Sequence, residues 1–168
     1  TLAERMAHWK VPGVSLAVIR DGKLAWARGY GVLQAGGKDK ISTDTVFSVG
    51  SVSKVAAAAV TLRLVDAGKL ALDRDVNGYL RRWQLPDNRF TAIQPVTLRG
   101  ILSHTAGLSV HGFRDFQPDA QIPTLIDTLE GRAPAINKPV RVEDVPGLHF
   151  KYSGGGVQLD ADCGSTRL

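Results

Sequence analysis

Residues 48–60 read SVGSVSKVAAAAV: a glycine and small polar residues run straight into an alanine-rich apolar segment, with one lysine at the seam. The apolar positions Val52, Val55, Ala56, Ala59, Val60, Leu62 and Leu64 recur at helical spacing, and Gly68 supplies the C-terminal stop. Ser51 and Lys54 are three apart, so their side chains share one helix face. A serine in a first turn carries one of the free backbone N–H donors of a helix start, which can face a developing oxyanion. Apolar surroundings disfavour a charged ammonium and make Lys54 a candidate proton acceptor for Ser51. A Ser-x-x-Lys pair is also what a solvated first-turn lysine on an ordinary helix looks like, so a second element has to decide between the two.

That element is PGLHFKYSGGG, residues 146–156. Tyr152 precedes Ser153 and three glycines, which let the backbone approach another element closely. A tyrosine hydroxyl held near a cation can shuttle protons, although a core tyrosine beside a glycine-rich turn has the same local pattern.

Outward from these stretches, GVSLAVIRDGKLAWARGYGV (13–32) predicts a β-hairpin turning at Asp21-Gly22. A loop and a short extended piece, Thr45 to Ser48, follow. LALDRDVNGYLRRW (70–83) predicts a short helix capped by Asp73 or Asp75, and VTLRGILSHTAGL (96–108) another starting at Thr97. IPTLIDTLEG (122–131) predicts a helix closed by Gly131. One hairpin followed by mostly helices reads as a sheet missing its other strands, since an isolated pair of strands is rarely stable.

With 168 residues, 43% hydrophobic and 22% charged, the chain has ordinary globular composition. No apolar run is long enough to span a bilayer, and the opening TLAERMAHWKVPG lacks a signal-peptide pattern, so a leader is either absent or already removed. Cys163 is the only cysteine, which leaves the compartment open between bacterial periplasm or secretion and cytoplasm. His8, His104, His111 and His149 have no metal-ligand spacing, and neither metal nor cofactor is expected. The net charge of +5 is scattered, and Arg81-Arg82 beside Trp83 reads as a solvated helix face rather than a nucleic-acid stripe. GSVSK lacks the spacing of a phosphate-binding loop, and Gly-x-Ser-x-Gly is absent, which argues against an α/β-hydrolase.

In order along the chain, residues 11–32, 45–76, 96–108 and 146–156 resemble four segments of the serine β-lactamase and penicillin-binding-protein superfamily. They are most like the branch with class C β-lactamases, D-alanyl-D-alanine carboxypeptidases and related esterases. The resemblance implies an α/β (α+β) β-lactamase-like fold, an antiparallel sheet with packed helices plus an all-α lobe. Residues 1–50 would form the N-terminal helix and hairpin of the α/β domain, and 51–156 the nucleophile helix and a mostly helical lobe. It implies a serine hydrolase that cleaves ester or amide bonds, β-lactam or D-amino peptide-like, through an acyl-enzyme. Ser51 would be the nucleophile, Lys54 would accept or relay its proton, Tyr152 would be the general base, and the Ser51 N–H half of the oxyanion hole. His104 falls in a matching motif and is read as structural, satisfying local backbone carbonyls.

Two departures matter. The family often has Tyr-x-Asn, and Gly154 stands at the Asn position among the substrate-binding residues, which predicts weak β-lactam turnover and favours esters. Residues 157–168, VQLDADCGSTRL, read as a polar, non-periodic, non-matching tail without the family's later Lys-Thr-Gly or His-x-Gly strand. The expectation is a chain truncated before most of its sheet. It would then be either an inactive fragment acting as a binding or oligomerising module, or one that completes its sheet as a homo-oligomer or by strand exchange.

Overall fold

A computed structural model describes residues 1–117 and 119–165. The chain divides into two compact units, Thr1–Val49 and Gly50–Leu168. In the first, Thr1 caps helix α1 (Leu2–His8) through a capping box with Glu4. Strands β1 (Gly13–Arg20) and β2 (Lys23–Gly31) pair antiparallel from Gly13↔Gly31 to Arg20↔Lys23, with a register shift between Val18 and Ile19. Asp21 and Gly22 both have positive φ, 51° and 71°, as a two-residue hairpin turn with the twist of its strands requires. Ile41 is buried, and it lies where Cβ atoms on Gly13 and Gly29 would stand. Ile19, Leu24 and Trp26 remain exposed on the two-stranded sheet.

In the second unit a 3-10 turn, Gly50–Val52, leads into α2 (Ser53–Asp66). Gly68 has φ +69°, and Lys69 N–H returns to Leu64 O, closing the helix as its sequence predicts. Thr97 caps α3 (Leu98–Leu102), while Thr124 and Asp127 form a capping box on α4 (Leu125–Glu130), which ends at left-handed Gly131. Helix α5 spans Gly154–Ser165. The core gathers Leu64, Val76, Leu98, Ile101, Leu108, Leu129, Val140 and Leu159, with Tyr79 and Trp83 around them. No described helix is long and apolar enough to cross a membrane.

Two sequence expectations are corrected here. Residues 70–83 form a single 3-10 turn, Val76–Gly78, capped by Asp75, rather than a helix. Trp83 is buried with its indole N–H donating to Glu130, while Arg81 and Arg82 are exposed as expected, on no helix, with Arg82 reaching the buried Asp162. The polar stretch after Gly156 is helical through Ser165; the rest of the predicted tail, residues 166–168, lies outside the described residues. Its pattern misleads because its acids are inside: Leu159 and Cys163 share one face four residues apart, Asp160 meets Thr61 of α2, and Asp162 meets Arg82. Burial beside Asp160 and Asp162 pushes the Cys163 thiol up to about 12, which leaves it unreactive at neutral pH.

The three glycines seat α5. A Cβ on Gly155 would stand 2.9 Å from Val140 Cγ2 and 3.0 Å from Ser109 O, and one on Gly156 would stand 3.1 Å from Leu108 Cδ1. Gly155→Ala should therefore lower stability by about 1–3 kcal/mol, the usual cost of overpacking, as read from the urea midpoint.

Thr61 Oγ1 lies 3.1 Å from Ala57 O and 2.7 Å from Asp160 Oδ1, and its single proton cannot fully serve both. Burial raises the Asp160 carboxyl above its ordinary value, and in its protonated form it donates to Thr61 while Thr61 donates to Ala57. A raised folded-state value means that this group's contribution is complete below the unfolded value of 3.8 and is lost as pH rises through the folded value. Asp160→Asn keeps the shape and the donor without the proton requirement. Its melting temperature should exceed wild type at pH 7, with the gap closing as pH falls toward 4.

Candidate active site

The 3-10 turn places Ser51 just ahead of α2 and Lys54 on the first turn of that helix, so the pair needs no other element to meet: Lys54 Nζ donates to Ser51 Oγ at 3.0 Å. Tyr152 arrives from 101 residues away, and its hydroxyl donates to the same Oγ at 2.8 Å. Lys54 Nζ also stands 5.2 Å from the centre of the Tyr152 ring. All three predicted chemical residues are thus brought together. The setting of Lys54 differs from the expected apolar one: it is half-buried against Ser51 and Tyr152, while its neighbours Val52 and Val55 are exposed.

Tyr152 is held from both sides of the sequence. Ser153 caps α5 by accepting Gly156 N–H at 3.0 Å, and its own hydroxyl donates to Ser109 O at 2.6 Å. Gly154 N–H donates to His111 O and Gly155 N–H to Val110 O. These bonds consume the amides that open α5. Val110 has φ +63°, a left-handed conformation unusual for a β-branched residue, and it turns the chain directly into His111.

Two imidazoles contact the Tyr152 ring, His104 at 4.3 Å and His111 at 4.8 Å between ring centroids. His104 does more than the sequence suggests. Instead of serving carbonyls, its Nδ1 accepts Ser153 N–H at 3.3 Å, and its own carbonyl accepts Lys151 N–H at 2.7 Å, so it grips the residues on each side of Tyr152. Burial and then the charge of Lys54 lower its pKa, which favours the neutral ring whose Nδ1 can accept. His111 was not marked by sequence reasoning; its only signal is its place just after the His-Thr-Ala-Gly-Leu stretch.

Lys54 as a hydrogen-bond donor, then Ser51, then the Lys54 charge hold the Tyr152 phenol below its ordinary value near 10. Gly154 is buried at the rim of the same cleft, where a Cβ would stand 3.0 Å from His111 O and 3.4 Å from Phe113 Cε2. The cleft, about 350 Å³, is lined by Ser51, Lys54, His111, Phe113, Gly154 and Gln158 among others.

This geometry agrees with what comparison finds. The Beta-lactamase family model matches residues 1–160. The chain belongs to the Beta-lactamase family. It is 39% identical over 114 residues to Penicillin-binding protein 4 of Amycolatopsis lactamdurans, covering 61% of this chain and 29% of that protein. It is 33% identical over 114 residues to an Unguisins hydrolase of Aspergillus campestris, covering 66% of this chain and 21% of the other. The octameric penicillin-binding protein homologue from Pyrococcus abyssi superposes with a TM-score of 0.73 at 26% identity, over 98% of this chain and 37% of that one. The chain spans less than a third of the length of these two curated relatives. The α/β β-lactamase-like fold read from the motifs is the fold found.

Absorbance titration of the three tyrosines should show one phenol ionising below the others. That step should vanish in Tyr152→Phe and move to higher pH in Lys54→Met, because removing the cation removes what favours the phenolate. An unchanged profile in both variants would refute the coupling.

Proposed function

We propose that the chain carries the acyl-transfer machinery of a serine hydrolase, with Ser51 as nucleophile, Lys54 and Tyr152 managing its proton, and Gly154 at the substrate-facing rim. The observation that supports it most is the convergence of Lys54 Nζ and Tyr152 OH on one serine oxygen, from segments 101 residues apart. In the reactive form the Tyr152 phenolate, stabilised by Lys54, takes the Ser51 proton as Oγ bonds to the substrate carbonyl carbon. The Ser51 N–H, in the turn entering α2, would donate to the oxyanion. Tyr152 then returns the proton to the leaving alcohol or amine as the carbonyl reforms, and next accepts one from the water that hydrolyses the acyl-enzyme. Among ester, β-lactam and D-amino peptide-like substrates, Gly154 favours esters, since it offers no side-chain amide to a substrate carbonyl.

A second reading has its own support. Ile19, Leu24 and Trp26 are exposed on a two-stranded sheet, as in a non-catalytic binding or oligomerising module that completes its sheet with a second copy. A relative described as octameric adds weight to assembly.

Intact-protein mass after exposure to an activated ester and to a β-lactam separates the two. The hydrolase reading expects an acyl adduct on wild type, none on Ser51→Ala, and faster ester than β-lactam turnover. A folded wild type with no adduct, eluting as an oligomer on size exclusion, would establish the second reading instead.

A further inference from the structure

Helix α3 ends at Leu102, and His104, two residues on, is held in the left-handed region at φ +57°. Histidine and asparagine enter that region more readily than most residues with side chains. Thr105 N–H returns to Gly100 O at 2.8 Å, so the turn that carries His104 is tied back to the helix. From this turn Nδ1 of the ring accepts the N–H of Ser153, a buried residue, at 3.3 Å. A neutral imidazole that accepts on Nδ1 carries its own proton on Nε2. A second proton can therefore enter only at Nδ1, the atom that holds Ser153. An imidazolium has no acceptor left, and the Ser153 N–H would lose its partner inside the protein, which is a costly place for an unpaired donor.

The surroundings of the ring oppose that second proton. Burial, then the charge of Lys54 on α2, hold the His104 pKa below the ordinary imidazole value of 6.5. From the segment ahead of α5 the ring meets Tyr152 at 4.3 Å and Phe150 at 6.0 Å between centroids. Lys151, whose N–H meets the His104 carbonyl, has its ammonium on Glu143 at 2.6 Å, and His111 contacts the same phenol ring. No carboxylate bonds the His104 imidazole among the described residues. With the folded-state value lowered, the Ser153 bond is fully present above 6.5 and is lost as pH falls through the folded value.

We infer that His104 is a positioning residue for Tyr152: its carbonyl and its neutral Nδ1 hold the residues on either side of the phenol, and protonation at Nδ1 releases the Ser153 side. The inference rests on the hydrolase reading above for what Tyr152 does, but the hold on Ser153 stands apart from that reading. Ser153 also accepts Gly156 N–H and donates to Ser109 O, so the released N–H lies at the joint between the phenol and α5. A proton taken up from solvent there loosens Tyr152 against Ser51 without touching Ser51, Lys54 or the phenol itself.

Asparagine separates the hold from the proton. His104→Asn offers an amide oxygen at the same remove from Cβ as Nδ1, tolerates positive φ, and cannot titrate. His104→Ala removes the acceptor altogether. In 1H–15N spectra of wild type, the Ser153 amide should titrate in one step with the His104 ring, below pH 6.5. Its hydrogen exchange, relative to an unstructured peptide at the same pH, should rise about tenfold or more across that step. In His104→Asn the step should be absent. In turnover of 4-nitrophenyl acetate, the acid limb of log kcat/KM should approach a slope of about two in wild type and about one in His104→Asn, because Tyr152 and His104 must each shed a proton. Near pH 8, His104→Asn should keep kcat within about threefold of wild type, and His104→Ala should lose about tenfold or more. A Ser153 step that persists in His104→Asn overturns the inference, as does an acid limb that asparagine leaves unchanged. A Ser153 step abolished by asparagine, in a wild type that turns over no ester, keeps the hold and overturns the hydrolase reading. Ester turnover lost in Ser51→Ala, with a Ser153 amide that does not titrate in wild type, keeps the hydrolase and overturns the inference. Should His104→Ala fail to fold, wild type and His104→Asn decide between these outcomes.

Discussion

The close seating of α5 on residues 108–111 is the constraint on which the site depends. Three consecutive glycines are used there because carbonyls and side chains of the facing segment occupy the space where Cβ atoms would stand. With no side chains in the way, Gly154 and Gly155 N–H groups reach the carbonyls of His111 and Val110, and Ser153 bonds Ser109. Tyr152 is the residue just before this clamp, so its position is an outcome of the clamp. Loosening the glycine contact would shift the phenol relative to Ser51, with no change to any chemical residue.

The same seating explains the environment of the phenol. His104 and His111 belong to the segment that α5 grips, and they contact the Tyr152 ring. The Lys54 ammonium approaches from α2, a separate element with no place in that clamp. A His104 that accepts a backbone N–H on its neutral Nδ1, and a Lys54 that donates to Ser51, leave the Lys54 cation beside the phenol. Charge is thereby concentrated where a phenolate would form, which is how preorganised sites favour one protonation state.

Gly154 links the chemistry to what the site can hold. Position 154 carries no side chain, and a Cβ there would stand 3.0 Å from His111 O and 3.4 Å from Phe113 Cε2. Gly154 thereby sets how closely the first turn of α5 approaches His111 at the rim of the cleft.

Local rules determined much of this protein from sequence alone. The Asp21-Gly22 turn, the start at Thr97, the stops at Gly68 and Gly131, and the Ser51–Lys54 pair depend on residues a few positions apart, and each was legible in the pattern. Tyr152 could be named only through the order of four motifs, since no periodicity ties it to Ser51. What tertiary structure decided are the long-range matters. The Asp-rich stretch after Gly156 is helical because its acids find Thr61 and Arg82 in the interior, partners no local pattern could reveal. Trp83 is buried, with its indole on Glu130, for the same reason, while Arg81 and Arg82 stay exposed. The grip of His104 on both neighbours of Tyr152 and the ring contact of His111 arise only when α5 docks. Local sequence sets φ, ψ and caps, while the partner of a buried polar group is chosen by the packing of distant segments.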